Sequence, residues 1–284
     1  MGTLTEKIRR DLKSIVICGL TAIIVGVTSC AHAATATEAH TDKGELILLG
    51  KWSEKQLDNI IRKGSQIQGL GERIDFLSEQ FLNVSYKEST LIGNVNTPEI
   101  FVINLEGIDC FTYIDYVEAM RLSNSFPQFE RNLKKVRYQY GKVAFENRNH
   151  FFTDWIEFNS NHIEDVTEEV GGEKTKTVEK MLNKKEDETY FLPGIPTKER
   201  KIRYIPSDAL DKMIIGRLRT GDYVGIFSEA QGLDVSHTGI IIKDGDKAYL
   251  RHASSREENR RVVNEDLINY ISNKPGLVIL RPKP

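Results

Sequence analysis

Cysteine is scarce in this chain, and where it falls matters more than how many there are. Of three cysteines in 284 residues, Cys18 lies inside an apolar run and Cys30 at its end, so only Cys110 belongs to the long polar-apolar sequence that follows. A single thiol there has no intrachain partner, which excludes a disulfide-stapled scaffold. Basic excess is also lacking: Lys and Arg total 39 against 41 Asp and Glu, with nothing like the concentrated basic surface that a nucleic-acid partner requires. There is no Gly-rich phosphate loop and no Gly-x-Ser-x-Gly elbow, so nucleotide and serine-esterase chemistry have no support. The longest apolar run, Ile15 to Val27, is too short for a comfortable bilayer span and is broken by Thr28, Ser29 and Cys30.

What is present begins with an export pattern. Lys7, Arg9, Arg10 and Lys13 precede the apolar run, as in a secretory signal over residues 1–33. Val27-Thr28-Ser29-Cys30 resembles a lipobox, which would anchor the protein to a membrane leaflet by lipid at Cys30. Ala31-His32-Ala33 fits ordinary signal peptidase, which would leave it free in the periplasm. Export implies an oxidising compartment, where a solitary thiol is buried and inert, paired between chains, or kept for its chemistry. Residues 34–50 read as a flexible leader, and residues 51–284 as one domain.

Within that domain the periodicity changes from helical to strand-like. Ser53 precedes the spacing Leu57, Ile60, Ile61, and Ile74, Leu77, Phe81 suggest a second helix over about 73–82. A third begins near Cys110, its apolar stripe formed by Phe111, Ile114, Val117 and Met120, with Glu118 and Arg121 free to face water. Val136 to Phe145 alternates like a bent strand, and 164–190 reads as a charged, solvated insertion. The runs 222–227, 238–243, 247–253 and 277–281 are β-rich, Asp244-Gly245 supplies a hairpin turn, and a helix is expected over about 265–271. The fold class is therefore α+β: an N-terminal helical part carrying the cysteine and a C-terminal antiparallel sheet.

A cysteine hydrolase needs a thiolate, a base and a group that orients the base. Cys110 sits where coil gives way to helix, so the positive helix end should lower its pKa and the free N–H groups could hold an oxyanion. His237 lies at the mouth of the strand Ile240 to Ile242. His252 ends the next strand, and pairing about an Asp244-Gly245 turn brings residue 237 across from residue 252. Cross-strand neighbours stand roughly 5 Å apart at Cβ, close enough for one imidazole to orient the other. One Cys and two His without a nearby carboxylate pattern fall short of a zinc set, so neither metal nor cofactor is expected.

These residues carry a resemblance. Asp109-Cys110-Phe111-Thr112-Tyr113, Gly221-Asp222, Ser236-His237-Thr238-Gly239 and His252-Ala253-Ser254 resemble the NlpC-type papain-like peptidoglycan hydrolases. Arg148-Asn149-His150-Phe151-Phe152-Thr153-Asp154-Trp155-Ile156 and Gly232-Leu233-Asp234-Val235-Ser236-His237 look like the N-acetylmuramoyl-L-alanine amidase-like branch of that superfamily. The resemblance spans about 50–284 and implies a papain-like fold and a Cys110, His237, His252 triad. It implies cleavage between the lactyl group of N-acetylmuramic acid and L-alanine, with muropeptides as partners, in a branch whose members favour the anhydro form. Asp109, Arg148, His150, Asp154 and Trp155 are the substrate-site candidates. Tyr113-Ile114-Asp115 departs from the Phe-Val-Glu common in the family. Two rivals remain: a γ-D-glutamyl-diaminopimelate endopeptidase on the same scaffold, and a wall-binding lipoprotein without turnover.

Overall fold

The computed structural model describes residues 40–42 and 44–284. The expected signal segment, with Cys18, Cys30 and both cleavage readings, lies outside them. The leader is shorter than expected, because Glu45–Leu48 forms a strand.

In chain order the elements are β1 (His40–Asp42), β2 (Glu45–Leu48), α1 (Glu54–Gln66), α2 (Leu70–Glu79), β3 (Ser85–Tyr86), β4 (Phe101–Asn104) and β5 (Gly107–Ile108). Then come α3 (Cys110–Arg121), α4 (Phe126–Arg137), α5 (Phe152–Phe158), β6 (Ile163–Asp165), α6 (Thr167–Gly171), β7 (Lys176–Leu182) and β8 (Lys198–Pro206). The last third holds α7 (Lys212–Arg217), β9 (Tyr223–Phe227), β10 (Val235–Asp244), β11 (Lys247–Ala253), β12 (Val262–Asp266), α8 (Leu267–Ile271) and β13 (Gly276–Pro282). The result is mixed α+β, dominated by an antiparallel sheet in the order β12-β11-β10-β9-β13-β8-β7, with β6 also paired to β13.

Alternation along the central strands divides the apolar residues between two cores. Ile240, Ile242, Val278 and Leu280 pack with residues of α1 to α5. Their neighbours Ile241, Leu277 and Ile279 pack with residues of α6, α7 and α8 on the other face. The helix α3 is held between α2 and the sheet, and its stripe is wider than expected. Glu118 and Arg121 are buried rather than exposed: they pair at 2.6 Å, and the Tyr223 hydroxyl donates to Glu118 at 2.8 Å. A buried pair of this kind is tolerated because its hydrogen bonds are satisfied by a neighbour.

Two sequence expectations are corrected. Val136 and Arg137 end α4, and the segment to Phe145 runs through short turns, not a strand. Arg137 alternates with apolar residues because it is itself buried, bonded to Asp115 at 2.8 Å and to the Val102 carbonyl at 2.6 Å. The charged stretch 164–190 is likewise no free insertion. Its β7 pairs along its whole length with β8 as the edge of the sheet, where mixed charge keeps an open edge from pairing with other chains.

Candidate active site

Asp109 sets the position of Cys110. It caps α3 by accepting from Phe111 N at 3.0 Å and Thr112 N at 2.7 Å, while its own amide donates to Thr112 Oγ1 at 3.0 Å. The cap uses the two amides just inside the helix and leaves that of Cys110 itself uncapped. Thr238 fixes the helix to β10 by donating from Oγ1 to the Cys110 carbonyl at 2.7 Å. Cys110 and His237, from opposite ends of the chain, thereby line one small pocket of about 100 Å³ with Phe111, Leu233 and Val235.

The histidines meet, though not as direct cross-strand partners. The β10-β11 register runs from Asp244↔Lys247 to Ile240↔Arg251, so the turn is centred on Gly245 and Asp246, and Gly239 continues the register to His252. This is two residues from the expected pairing. A shift of two keeps the same face, and His237 Nε2 lies 2.7 Å from His252 Nδ1 along the diagonal. His252 Nε2 in turn lies 2.9 Å from Glu265 Oε1, whose partner oxygen is held by Arg256 at 2.9 Å. Tyr270 of α8 packs edge-on against His252, ring centroids 4.9 Å apart.

The electrostatics differ from the expected activated thiolate. Burial pushes the Cys110 thiol up to about 12, and the capping Asp109 carboxylate adds to the rise, outweighing the hydrogen bonds that Thr238 and the Cys110 amide offer the sulfur. Burial pulls His237 down to about 4 and His252 to about 3, with Arg256 contributing to both. At neutral pH the site therefore holds a neutral thiol beside two neutral imidazoles.

The family model described as AmiA-like, N-acetylmuramoyl-L-alanine amidase-like, matches residues 76–277. This chain belongs to that family. Among solved structures, the AmiA-like chain is similar to a Legionella pneumophila protein assigned to the family model DUF1460, at 25% identity and TM-score 0.68, covering 81% of this chain and 96% of the other. It is also similar to an N-acetylmuramoyl-L-alanine amidase from Bacteroides uniformis, at 26% identity and TM-score 0.61, covering 81% and 100% respectively. No curated protein matches it.

In the AmiA-like chain the substrate-site candidates divide. Asp109, Arg148 and His150 line a second pocket of about 170 Å³, which shares Phe111 and His150 with the first and also touches Leu91 and Asn149. Arg148 reaches it already paired to Glu99. His150 is pulled by burial to about 4. Asp154 and Trp155 line neither pocket. Trp155 is fully buried and donates from Nε1 to Asp115 at 3.0 Å, while Asp154 is bonded to Lys198 at 2.9 Å and Arg200 at 2.8 Å. Their motif does serve the site indirectly: Thr153 donates from its amide and hydroxyl to Asp234 at 2.7 and 2.9 Å, tying α5 to the turn that leads into His237.

Sequence reading missed Thr238, Glu265, Tyr270 and Tyr86. Tyr86 pairs with Ile108 two residues before Cys110 and lies close enough to feel the thiol's charge. Glu265 was concealed because residues 265–271 look helical, whereas Glu265 belongs to β12 and stands across from Leu250 on β11. A strand assignment would have put it on the face of His252.

Proposed function

We propose that this protein is an exported cysteine amidase of the NlpC-type papain-like class. It would cleave the amide between the lactyl group of N-acetylmuramic acid and L-alanine in peptidoglycan fragments. Family membership and the Bacteroides uniformis neighbour support the amide-bond chemistry and the peptidoglycan substrate. The observation that carries the cysteine mechanism is that Cys110 and His237 line one pocket while His252 holds the far nitrogen of His237. Export rests on the sequence pattern of residues 1–33.

The geometry suits general-base catalysis, not a preformed ion pair. As the Cys110 sulfur approaches the lactyl carbonyl carbon, its proton passes to His237 Nδ1, the nitrogen that His252 leaves free. The Cys110 amide is the helix-end donor left over for the oxyanion. Collapse breaks the C–N bond, His237 returns the proton to the departing L-alanine amine, and a muramoyl thioester remains. Water, deprotonated by His237, then releases the sugar acid and the thiol. Arg148 and His150, which line the adjoining pocket, would meet the rest of the substrate.

Mass spectrometry of muropeptides digested by the wild type and by Cys110→Ala tests this. The expected products are free sugar and an intact stem peptide, with none from the variant. A sugar-linked dipeptide would transfer the cut to the γ-D-glutamyl-diaminopimelate bond, and undiminished turnover by Cys110→Ala would remove the cysteine mechanism.

A further inference from the structure

We infer that Glu265 is a positioning residue of this site, whose carboxylate dictates which nitrogen of each histidine carries the proton. The inference rests on His237 being the base proposed above.

Donors and acceptors must alternate along a chain of two hydrogen bonds. Glu265 Oε1 lies 2.9 Å from His252 Nε2, and His252 Nδ1 lies 2.7 Å from His237 Nε2. A carboxylate only accepts, so His252 must hold its proton on Nε2. A neutral imidazole has one N–H, which leaves His252 Nδ1 as an acceptor and obliges His237 to donate from Nε2. His237 Nδ1 is then a bare lone pair, able to take a proton. Reversing the first bond reverses every later one. With a donor in place of Glu265, His252 would carry its proton on Nδ1 and His237 would carry its own there too, blocking the nitrogen that must accept.

The surroundings hold Glu265 to this task. Its position on β12 is diagonal to His252 in the same sense that His237 is on β10, so the three side chains form one row across adjacent strands. Arg256 donates to Oε2 at 2.9 Å and lies over the Tyr270 ring, which itself backs both imidazoles. Asn259 Nδ2 stands 3.5 Å from Oε1, a longer contact than that of His252.

Arg256 makes the test unusually sharp. In Glu265→Gln, Arg256 can only donate, so it claims the amide oxygen and turns the amide NH₂ toward His252, which imposes the wrong tautomer. Glu265→Gln should therefore lower kcat on muropeptides by about 100-fold or more, in line with other triads left in the wrong tautomer, with KM little changed. Adding Arg256→Ala frees the amide to rotate, and the double variant should recover much of the loss. A residue that merely supported the fold would give the opposite order, with the near-isosteric Gln harmless and the double variant worse.

Imidazole ¹⁵N spectra of the full chain read the tautomers without turnover. Both histidines should be Nε2–H in the wild type and in Glu265→Asp, which keeps an acceptor-only group, and Nδ1–H in Glu265→Gln. Wild-type kcat with Nε2–H imidazoles in Glu265→Gln would overturn the inference. So would Nδ1–H imidazoles in the wild type. Turnover by Cys110→Ala would instead defeat the mechanism on which it rests, and the two failures are thus told apart.

Discussion

His252 stands across the hairpin from Gly239, not from His237, and the two imidazoles meet at 2.7 Å along the diagonal, over the glycine. A Cβ on residue 239 would lie 3.0 Å from the Cβ of His252, 3.0 Å from the Arg251 carbonyl oxygen and 2.7 Å from Leu250 Cδ1. The Leu250 side-chain end would have to shift within the core, and the Arg251 carbonyl and His252 Cβ, which are fixed by the strand, would have to give by a few tenths of an ångström. Gly239→Ala should cost about 1–3 kcal/mol of stability, as overpacking does. It should also lower kcat by displacing His252 from His237. Thermal unfolding and turnover check the two effects, and an unchanged kcat in a folded variant would show that the contact has slack.

The thiol is expected to be quiet without substrate. Its pKa is pushed up to about 12 by burial, and His237, held near 4, carries no positive charge at neutral pH with which to stabilise a thiolate. Iodoacetamide labelling of Cys110 should therefore be slow at pH 7 and rise about tenfold per pH unit well into the alkaline range. A rate plateau beginning near pH 5 would mean an ion pair at rest, contrary to this geometry.

The proposed base, His237, should work in acid. Because burial lowers His237 to about 4, it is deprotonated above that value, and the acid limb of kcat/KM should lie near pH 4 instead of near 6.5. Stability carries the same sign. His150, His237 and His252 are all depressed in the folded chain, so between about pH 6.5 and 4 the unfolded chain binds more protons than the folded one. Stability should be fully retained above pH 6.5 and fall as the pH drops through that window. Urea unfolding midpoints at pH 7.5, 6, 5 and 4 measure it.

Much of this site was legible because its signals are local. Asp109 followed by Cys110 and an apolar stripe marks a capped helix, and two β-rich runs around Asp244 and Gly245 mark a hairpin. The register error of two residues did no damage, because side chains repeat every two. What escaped the sequence depended on partners far along the chain. Glu118 and Arg121 read as surface charge but are buried with each other and with Tyr223, and Arg137, read as part of a strand, ends a helix buried against Asp115. Trp155 and Asp154 were substrate-site candidates because they stand in the motif that carries the resemblance, and their polar atoms are spent on Asp115, Lys198 and Arg200. The thiol's pKa was misjudged for a related reason: a helix start is visible in sequence, whereas the depth of its burial is not.

Thr238 ties the residue of the proposed nucleophile to β10. Its hydroxyl donates to the Cys110 carbonyl at 2.7 Å, and it is buried one residue beyond His237. Thr238→Val keeps the shape but removes the donor, so α3 loses the bond that fixes its first turn to β10. The stability cost should be about 1 kcal/mol, the net value of one such bond. Turnover should suffer more than that figure suggests, since the bond holds the proposed nucleophile's residue against the strand of the proposed base, and displacements of about 1 Å can cost on the order of 10²-fold in rate. Thr238→Ser, which retains the hydroxyl, should restore most of the activity. Equal turnover by the Val and Ser variants would show that packing alone holds Cys110 in place.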